Sequence, residues 1–351
     1  MSADPTAYVD WEFAKVTGRR LVAAGPSVSP TQAQDEVAAI RGAAVAARAP
    51  VAETSRLHTP AGAPDAVVVD RPTWIATNAD SMSALMDPVF AQILTKRGQT
   101  PGATVTAIGG KVTGAEAGAL LSFMASKVLG QYDLAPGGTP KLMLVAPNLL
   151  QAQRDLDVDP ADFRAWVCMH EETHRVQFTA VPWLRDHLVD TTRNLASELA
   201  PDPTKLAETA SQIVQRLPEV FGQGGTGLAD LFTTPEQRER LAGVTAVMSL
   251  LEGHADVVMD EVGPSVIPSV ATIRRRFDER RKGAGAVDRL LRRLLGLEAK
   301  MRQYRDGAVF TRGVIDEVGW DGFNAIWTSP QTLPTAREIT EPHAWVARVH
   351  A

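Results

Sequence analysis

The chain has 351 residues, of which 44% are hydrophobic and 22% charged, a balance that supplies a sizeable core and excludes an intrinsically disordered protein. A formal net charge of -5 with a pI near 5.9 argues against a nucleic-acid partner, which needs a positive surface. One cysteine, Cys168, excludes an internal disulfide, the start MSADPTAYVDWEFAKV lacks the features of a signal peptide, and no apolar run reaches eighteen residues. The expectation is therefore a cytoplasmic chain with no membrane span. Few aromatic residues and long stretches rich in Ala, Leu, Arg, Glu and Gln favour helix over sheet.

An amphipathic helix is expected over residues 5 to 24, stopped by Gly25-Pro26, and a second over 31 to 49, with Ser29 as cap and Pro30 in the first turn. Pro, Gly and Ala content makes 50 to 66 a loop, with room for another helical turn at its start. Val67-Val68-Val69 reads as a short strand or an extended entry to a helix near 73 to 97. The glycine-rich stretch 98 to 113 reads as a turn-rich connection before a small-residue helix from Thr113 to Leu129, ended by Gly130. Lys141 to Ala146, ahead of Pro147-Asn148, is the best strand candidate.

Asp159-Pro160 opens a helix to about Ala180, along which Phe163, Trp166, Val167, His170, His174 and Phe178 recur at intervals of three and four. Pro182 breaks the chain before helices at about 183 to 199 and 203 to 218, and glycines make Phe221 to Asp230 a loop that could serve as lid or linker. Thr234-Pro235 starts a helix to about Asp260, followed by helices at about 268 to 281 and 285 to 304, one more beyond 307, and a proline-punctuated tail. Residues 274 to 293 hold nine basic and three acidic side chains, interleaved as on a solvated helix face with local ion pairs.

Within the helix at 160 to 180, His170-Glu171-Glu172-Thr173-His174 fits H-E-x-x-H, which places two imidazoles on one helix face with Glu171 beside them as general base. The spacing alone is weak evidence, because a zinc ion needs a third protein ligand and an open position for water. Residues 244 to 260 supply a candidate: Glu252 lies among Leu250, Leu251 and Val257, where an unpaired carboxylate is costly. Asp256, four residues on, shares its face and is placed to orient a ligand histidine. His254 is the rival ligand, but it stands about 200° around the helix from Glu252 and so lines the substrate side or bonds to backbone. The candidate metal set is therefore His170, His174 and Glu252 around Zn2+, with Asp256 and His254 in support. Zinc would acidify a bound water, Glu171 would take its proton, and the attack would fall on a polarised carbonyl. Cys168 faces away from the metal and is read as a core thiol.

The blocks FRAWVCMHEETHRVQF, VPWLRDHL, LLEGHADVVMD and LGLEAKMRQYRDGAVF, with the closing WTSPQTLPTAREI, resemble an actinobacterial zincin-like family of zinc-dependent metalloproteases, some members of which are labelled as associated with deazaflavin-coenzyme biosynthesis. The similarity runs from about Gly118 to the C-terminus, with a looser match before it. It implies a mainly α, zincin-like fold with at most a small β element, and the motif residues His170, Glu171 and His174, but no substrate. The interval from His174 to Glu252 is long beside that of familiar zincins with a glutamate ligand. On this reading residues 1–112 form an N-terminal helical region packed on a catalytic region at 113–351, the two making one continuous unit.

A donor near the developing oxyanion is also needed, and Tyr304, His254 and Arg175 qualify by residue type. Tyr304 ranks first because it stands in the family-like KMRQYRDG block. The leading expectation is a zinc metallopeptidase acting on a peptide or amide substrate. Its alternatives are a catalytically silent zincin scaffold that binds metal or a partner, and an amidohydrolase acting on a small molecule.

Overall fold

The computed structural model describes residues 8–97, 103–199, 234–282 and 297–351. The N-terminal third contains α1 (Trp11–Leu21), α2 (Pro30–Ala46), α3 (Arg48–Ser55), β1 (Val67–Val69), α4 (Arg71–Arg97) and α5 (Ala103–Ala125). The middle contains β2 (Gly130–Asp133), β3 (Lys141–Val145), α6 (Ala146–Leu156), α7 (Pro160–Ala180) and α8 (Pro182–Leu199). The remainder contains α9 (Pro235–Val266), α10 (Val270–Lys282), α11 (Leu297–Phe323), two short 3-10 turns, α12 (Ala336–Thr340) and α13 (Pro342–Val349). The mainly helical architecture expected from composition is present, with one three-stranded sheet in the order β1-β3-β2.

Local chemistry starts the helices where expected. Ser29 and Gln32 form a reciprocal cap at α2, Thr234 and Gln237 do the same at α9, and the Asp159 carboxylate accepts from Ala161 N and Asp162 N at 2.9 Å to open α7. Several boundaries differ from the sequence reading, for identifiable reasons. Residues 48 to 55, read partly as loop, form α3, because Pro50 falls in the first turn, where no helical N–H is lost. Pro147 likewise sits in the first turn of α6, so the chain passes from β3 directly into a helix. Asn148 fixes that junction by donating to Ala125 O and Val128 O while accepting from Arg71 Nε at 2.7 Å.

The glycines near 110, read as turn formers, lie inside α5. Gly110 O accepts from Asp10 N at 2.8 Å, while the close approach of the first helix falls further along, at Gly114, where a Cβ would meet Asp10 O at 2.5 Å, and at Gly118, where it would meet Ala14 O. Helix α9 runs past Pro264 to Val266. Its segment Pro235–Gly263 is long and apolar enough to cross a membrane by length and composition, yet 56% of its apolar window is packed inside the protein, between α7 and α11. The expected helix at 203 to 218, the glycine-rich loop at 221 to 230 and most of the 285 to 304 helix lie outside the described residues.

The sheet separates two cores. Leu144 of β3 joins Ile40, Val51, Leu149, Phe163, Val167 and Met169 on the α7 side, whereas Met143 and Val145 join Trp74, Ile75 and Leu121 on the α4 and α5 side. This is the two-residue alternation of a strand covered on both faces. β3 pairs parallel with β1 and antiparallel with β2, with Gly130 opposite Leu144 and Asp133 opposite Lys141. The strand β2 was not expected, since GQYD shows no apolar alternation. Its Gln131 and Asp133 instead meet Asn78 and Ser81 of α4 by hydrogen bonds of 2.8 and 2.7 Å.

A third core packs α8, α9 and α11 with the C-terminal turns around Leu184, Leu250, Phe310 and Trp345. Helices α9 and α11 touch backbone to backbone where Gly253 meets Gly307, and a Cβ on Gly307 would overlap Ser249 O. Gly307→Ala is therefore expected to lower stability by about 1–3 kcal/mol in urea denaturation, as overpacking does. Gly243→Ala, on an open face of α9, serves as the control and is expected to be neutral or stabilising by up to about 1 kcal/mol.

Candidate metal centre

Helix α7 presents its imidazoles to α9. His170 and His174, one turn apart, bring their Nε2 atoms to 3.2 Å, and Glu252 Oε2 lies 3.5 Å from the first and 3.7 Å from the second. The three donor atoms lie within 4.8 Å of one another and are the one such group among the described residues. A tetrahedral zinc with bonds of about 2.0–2.1 Å sets its ligand atoms about 3.3 Å apart, so separations of 3.2, 3.5 and 3.7 Å suit that ion.

The tautomers agree. His170 Nδ1 contacts Met259 Sδ at 3.3 Å and His174 Nδ1 contacts Gln177 Oε1 at 3.0 Å, and neither partner has a hydrogen to give. In the neutral rings both Nδ1 atoms therefore carry the hydrogen, which leaves the Nε2 positions beside the carboxylate to be filled by a cation or, on His174, by a proton.

The electrostatics follow from burial and proximity. Burial opposes charge on His174, yet the Glu252 carboxylate outweighs it and raises the imidazole to about 9. Burial likewise opposes charge on Glu252, but His174 and His170 hold it well below the ordinary carboxylate range. Glu171, 7% exposed, is pushed upward by burial, with the histidines pulling against that and Glu252 adding to it. Its carboxylate sits under the edge strand: a Cβ on Gly130 would stand 2.5 Å from Glu171 Cδ and 2.7 Å from Oε1. Only glycine at 130 leaves that space free.

Some candidates occupy other positions. Among the described residues the Nδ1 contacts of His170 and His174 are Met259 and Gln177, and Asp256, expected to orient a ring, makes neither. Met259 lies seven residues after Glu252, on the same face of α9, at 2% exposure. His254 faces away from any substrate: it is fully buried, its ring surrounded by Trp320, Phe323 and Trp327, with Gln177 Nε2 at 2.9 Å from its Nδ1.

Arg175 is held by a buried, two-bond pair with Glu172 at 2.6 and 2.7 Å, on a different side of α7 from the histidines, which removes it as an oxyanion donor. Glu172 is thus the buried ion-pair partner of Arg175. Tyr304 belongs to helix α11, but its side chain lies outside the described residues. Cys168 is buried in the α7 core, and burial pushes its thiol up to about 12. Of the basic stretch, Arg274 pairs with Asp260 and Arg276 with Asp157, so these two reach acids of other elements and not the acids interleaved in the stretch.

Gly130, Gln177 and Met259 were missed. Gln177 was within reach, since i+3 on a helix places its amide beside His174. Met259 and Gly130 carry no sequence signal of their own.

Burial pushes His254 down to about 3, against an ordinary value of 6.5. The unfolded chain thus binds more protons between these values, so stability from the neutral ring is complete above pH 6.5 and falls as pH drops through this window. Between pH 6.5 and 5 this one group is expected to add a slope approaching 1.4 kcal/mol per pH unit to urea-denaturation stability. His254→Asn should remove that slope; an unchanged slope would show that the ring does not titrate as buried.

Comparisons with known proteins agree with this geometry. A family model described as zincin-like metallopeptidase matches residues 9–346. A solved structure from Chloroflexus aurantiacus, described as a putative hydrolase with a novel fold, is similar at 27% identity, with a TM-score of 0.70 over 97% of this chain and 99% of that one. No curated protein matches. With the match spanning nearly its whole length and two histidines and a glutamate meeting at one point, the chain belongs to the zincin-like metallopeptidase family.

Proposed function

We propose that this protein is a zinc-dependent peptidase in which His170, His174 and Glu252 hold the metal and Glu171 is the general base. The observation that carries the reading is the position of Glu171: a buried carboxylate with a raised pKa beside a three-donor cluster and directly beneath Gly130. Burying a carboxylate is costly, and a scaffold that merely held metal would have no use for this one. When bound, zinc acts as a Lewis acid that polarises a carbonyl and lowers the pKa of a water towards 7. Glu171 takes the proton of the attacking water and hands it to the leaving amine, a role suited to a carboxyl whose pKa burial raises.

The strand above supports a peptide as the substrate class. β2 is the edge of the sheet, with one side paired to β3 and the other paired to no strand among the described residues. An extended peptide can add to that side by main-chain hydrogen bonds, which would carry a scissile amide past Gly130 to Glu171. Arg185 of α8 steadies this edge by donating to Leu134 O, Ala135 O and Gly138 O in the β2–β3 loop. Tyr132 faces the same way as Gly130 and stacks on Phe178 of α7, ring centroids 5.3 Å apart.

The metal content of purified protein and its cleavage of a peptide library provide the test. Wild type should hold about one zinc per chain, while His174→Ala and Glu252→Ala should lose it. Glu171→Gln should keep the zinc and lower kcat by about 10²–10⁴-fold. Wild type with neither stoichiometric zinc nor cleavage would sink the proposal, and cleavage of small amides without peptides would replace its substrate class.

Gly130→Ala should resemble Glu171→Gln, with zinc retained and kcat down by at least about 10²-fold, because the methyl group displaces the base. Zinc loss in that variant would mean that Gly130 supports the fold and not the position of Glu171.

A further inference from the structure

Resting on that reading of the metal centre, we propose that Gln177 and His254 form a neutral relay that sets the tautomer and aim of His174. The relay is built from one side chain with a fixed polarity. Gln177 is fully buried, and its Nε2 lies 2.9 Å from Leu251 O and 2.9 Å from His254 Nδ1. A carbonyl only accepts, so the amide nitrogen must face Leu251, and its two hydrogens serve the two contacts. The amide oxygen is then forced to the opposite end, 3.0 Å from His174 Nδ1. An oxygen that can only accept requires hydrogen on Nδ1, and the Nε2 lone pair is left for His170 and Glu252 to share with a cation.

His254 completes the logic from the other side. To accept from Gln177 its Nδ1 must be bare, which places the ring hydrogen on Nε2, a buried atom with no hydrogen-bond partner. An orphaned buried donor is a cost that stability alone does not explain. The cost is tolerated because a neutral ring, stacked on Phe323 at 5.4 Å and flanked by Trp320 and Trp327, presents a permanent acceptor to Gln177. A backbone carbonyl from α9 and a ring from the same helix thus fix a ligand on α7. Each link is uncharged, so the relay orients His174 without adding negative charge to a site that already holds Glu252.

The experiment compares zinc affinity, by competition with a chromophoric chelator, and the imidazole 15N spectrum of His174 in the zinc-loaded full-length protein. Gln177→Leu and His254→Phe remove the acceptor for His174 Nδ1 and the acceptor for the amide, respectively. Both should weaken zinc binding about ten- to a hundredfold and speed solvent exchange of the Nδ1 hydrogen. His254→Asn restores an acceptor oxygen near the Nδ1 position and should return affinity to within about threefold of wild type, a rescue that a purely packing role would not show. Wild-type affinity and an unchanged Nδ1 signal in Gln177→Leu would overturn the relay while leaving the peptidase reading intact. Failure of His254→Asn to recover more than His254→Phe would reduce His254 to a packing residue and overturn its part. Wild type that takes up no zinc would sink both readings.

Discussion

Two imidazole lone pairs and a carboxylate oxygen held within 3.7 Å of each other are mutually repulsive unless a positive charge joins them, and the fold keeps them there by packing. The His170 and His174 donors come from α7 and the Glu252 donor from α9, helices 78 residues apart along the chain by the ligand positions. Their relative placement is therefore a tertiary property. The core around Val167, Met169, Val176 and Val258 sets the distance, and Gln177 bonds one helix to the other at the level of the ligands. Met259 performs a parallel task for His170 with a thioether, a weak acceptor that a dry interior accommodates without a further charge.

The sheet is small, yet it gives the site its second wall. β3 is buried on both faces and ties β1 to β2, so the edge strand is held against α7 by a central element that cannot shift without opening two cores. Its outer polar face is satisfied by α4 and its inner face is reduced to a hydrogen at Gly130. Glu171 thus lies between the bare main chain at Gly130 and the helix that bears it.

Much of this was legible in the residues. Caps at Ser29, Asp159 and Thr234, the apolar run of β3 and the H-E-x-x-H face all rest on local rules of spacing and side-chain chemistry, and such rules survive folding. Glu252 was legible for a different reason, as a carboxylate too costly to bury without a partner. What escaped depends on contacts between distant segments. The strand at 130 to 133 lacks apolar alternation because its neighbours are Asn78, Ser81 and Glu171. Gly109 and Gly110 of α5 resembled turn residues because local rules do not separate a glycine tolerated inside a helix from one that ends it. Asp256 had the right spacing for an orienting acid, but the faces of α7 and α9 meet so that a thioether and an amide reach the rings first.

The contact between Gly253 and Gly307 carries a further consequence for how such a centre can change. Glu252, Gly253 and His254 are consecutive, and successive helix residues point about 100° apart. The first aims at the metal ligands, the second presses against the backbone of α11, and the third enters an aromatic pocket. Any turn of α9 about its own axis would therefore be resisted by three unlike surfaces at once. The tripeptide behaves as a keyed shaft, whose angular setting is enforced by packing on three sides.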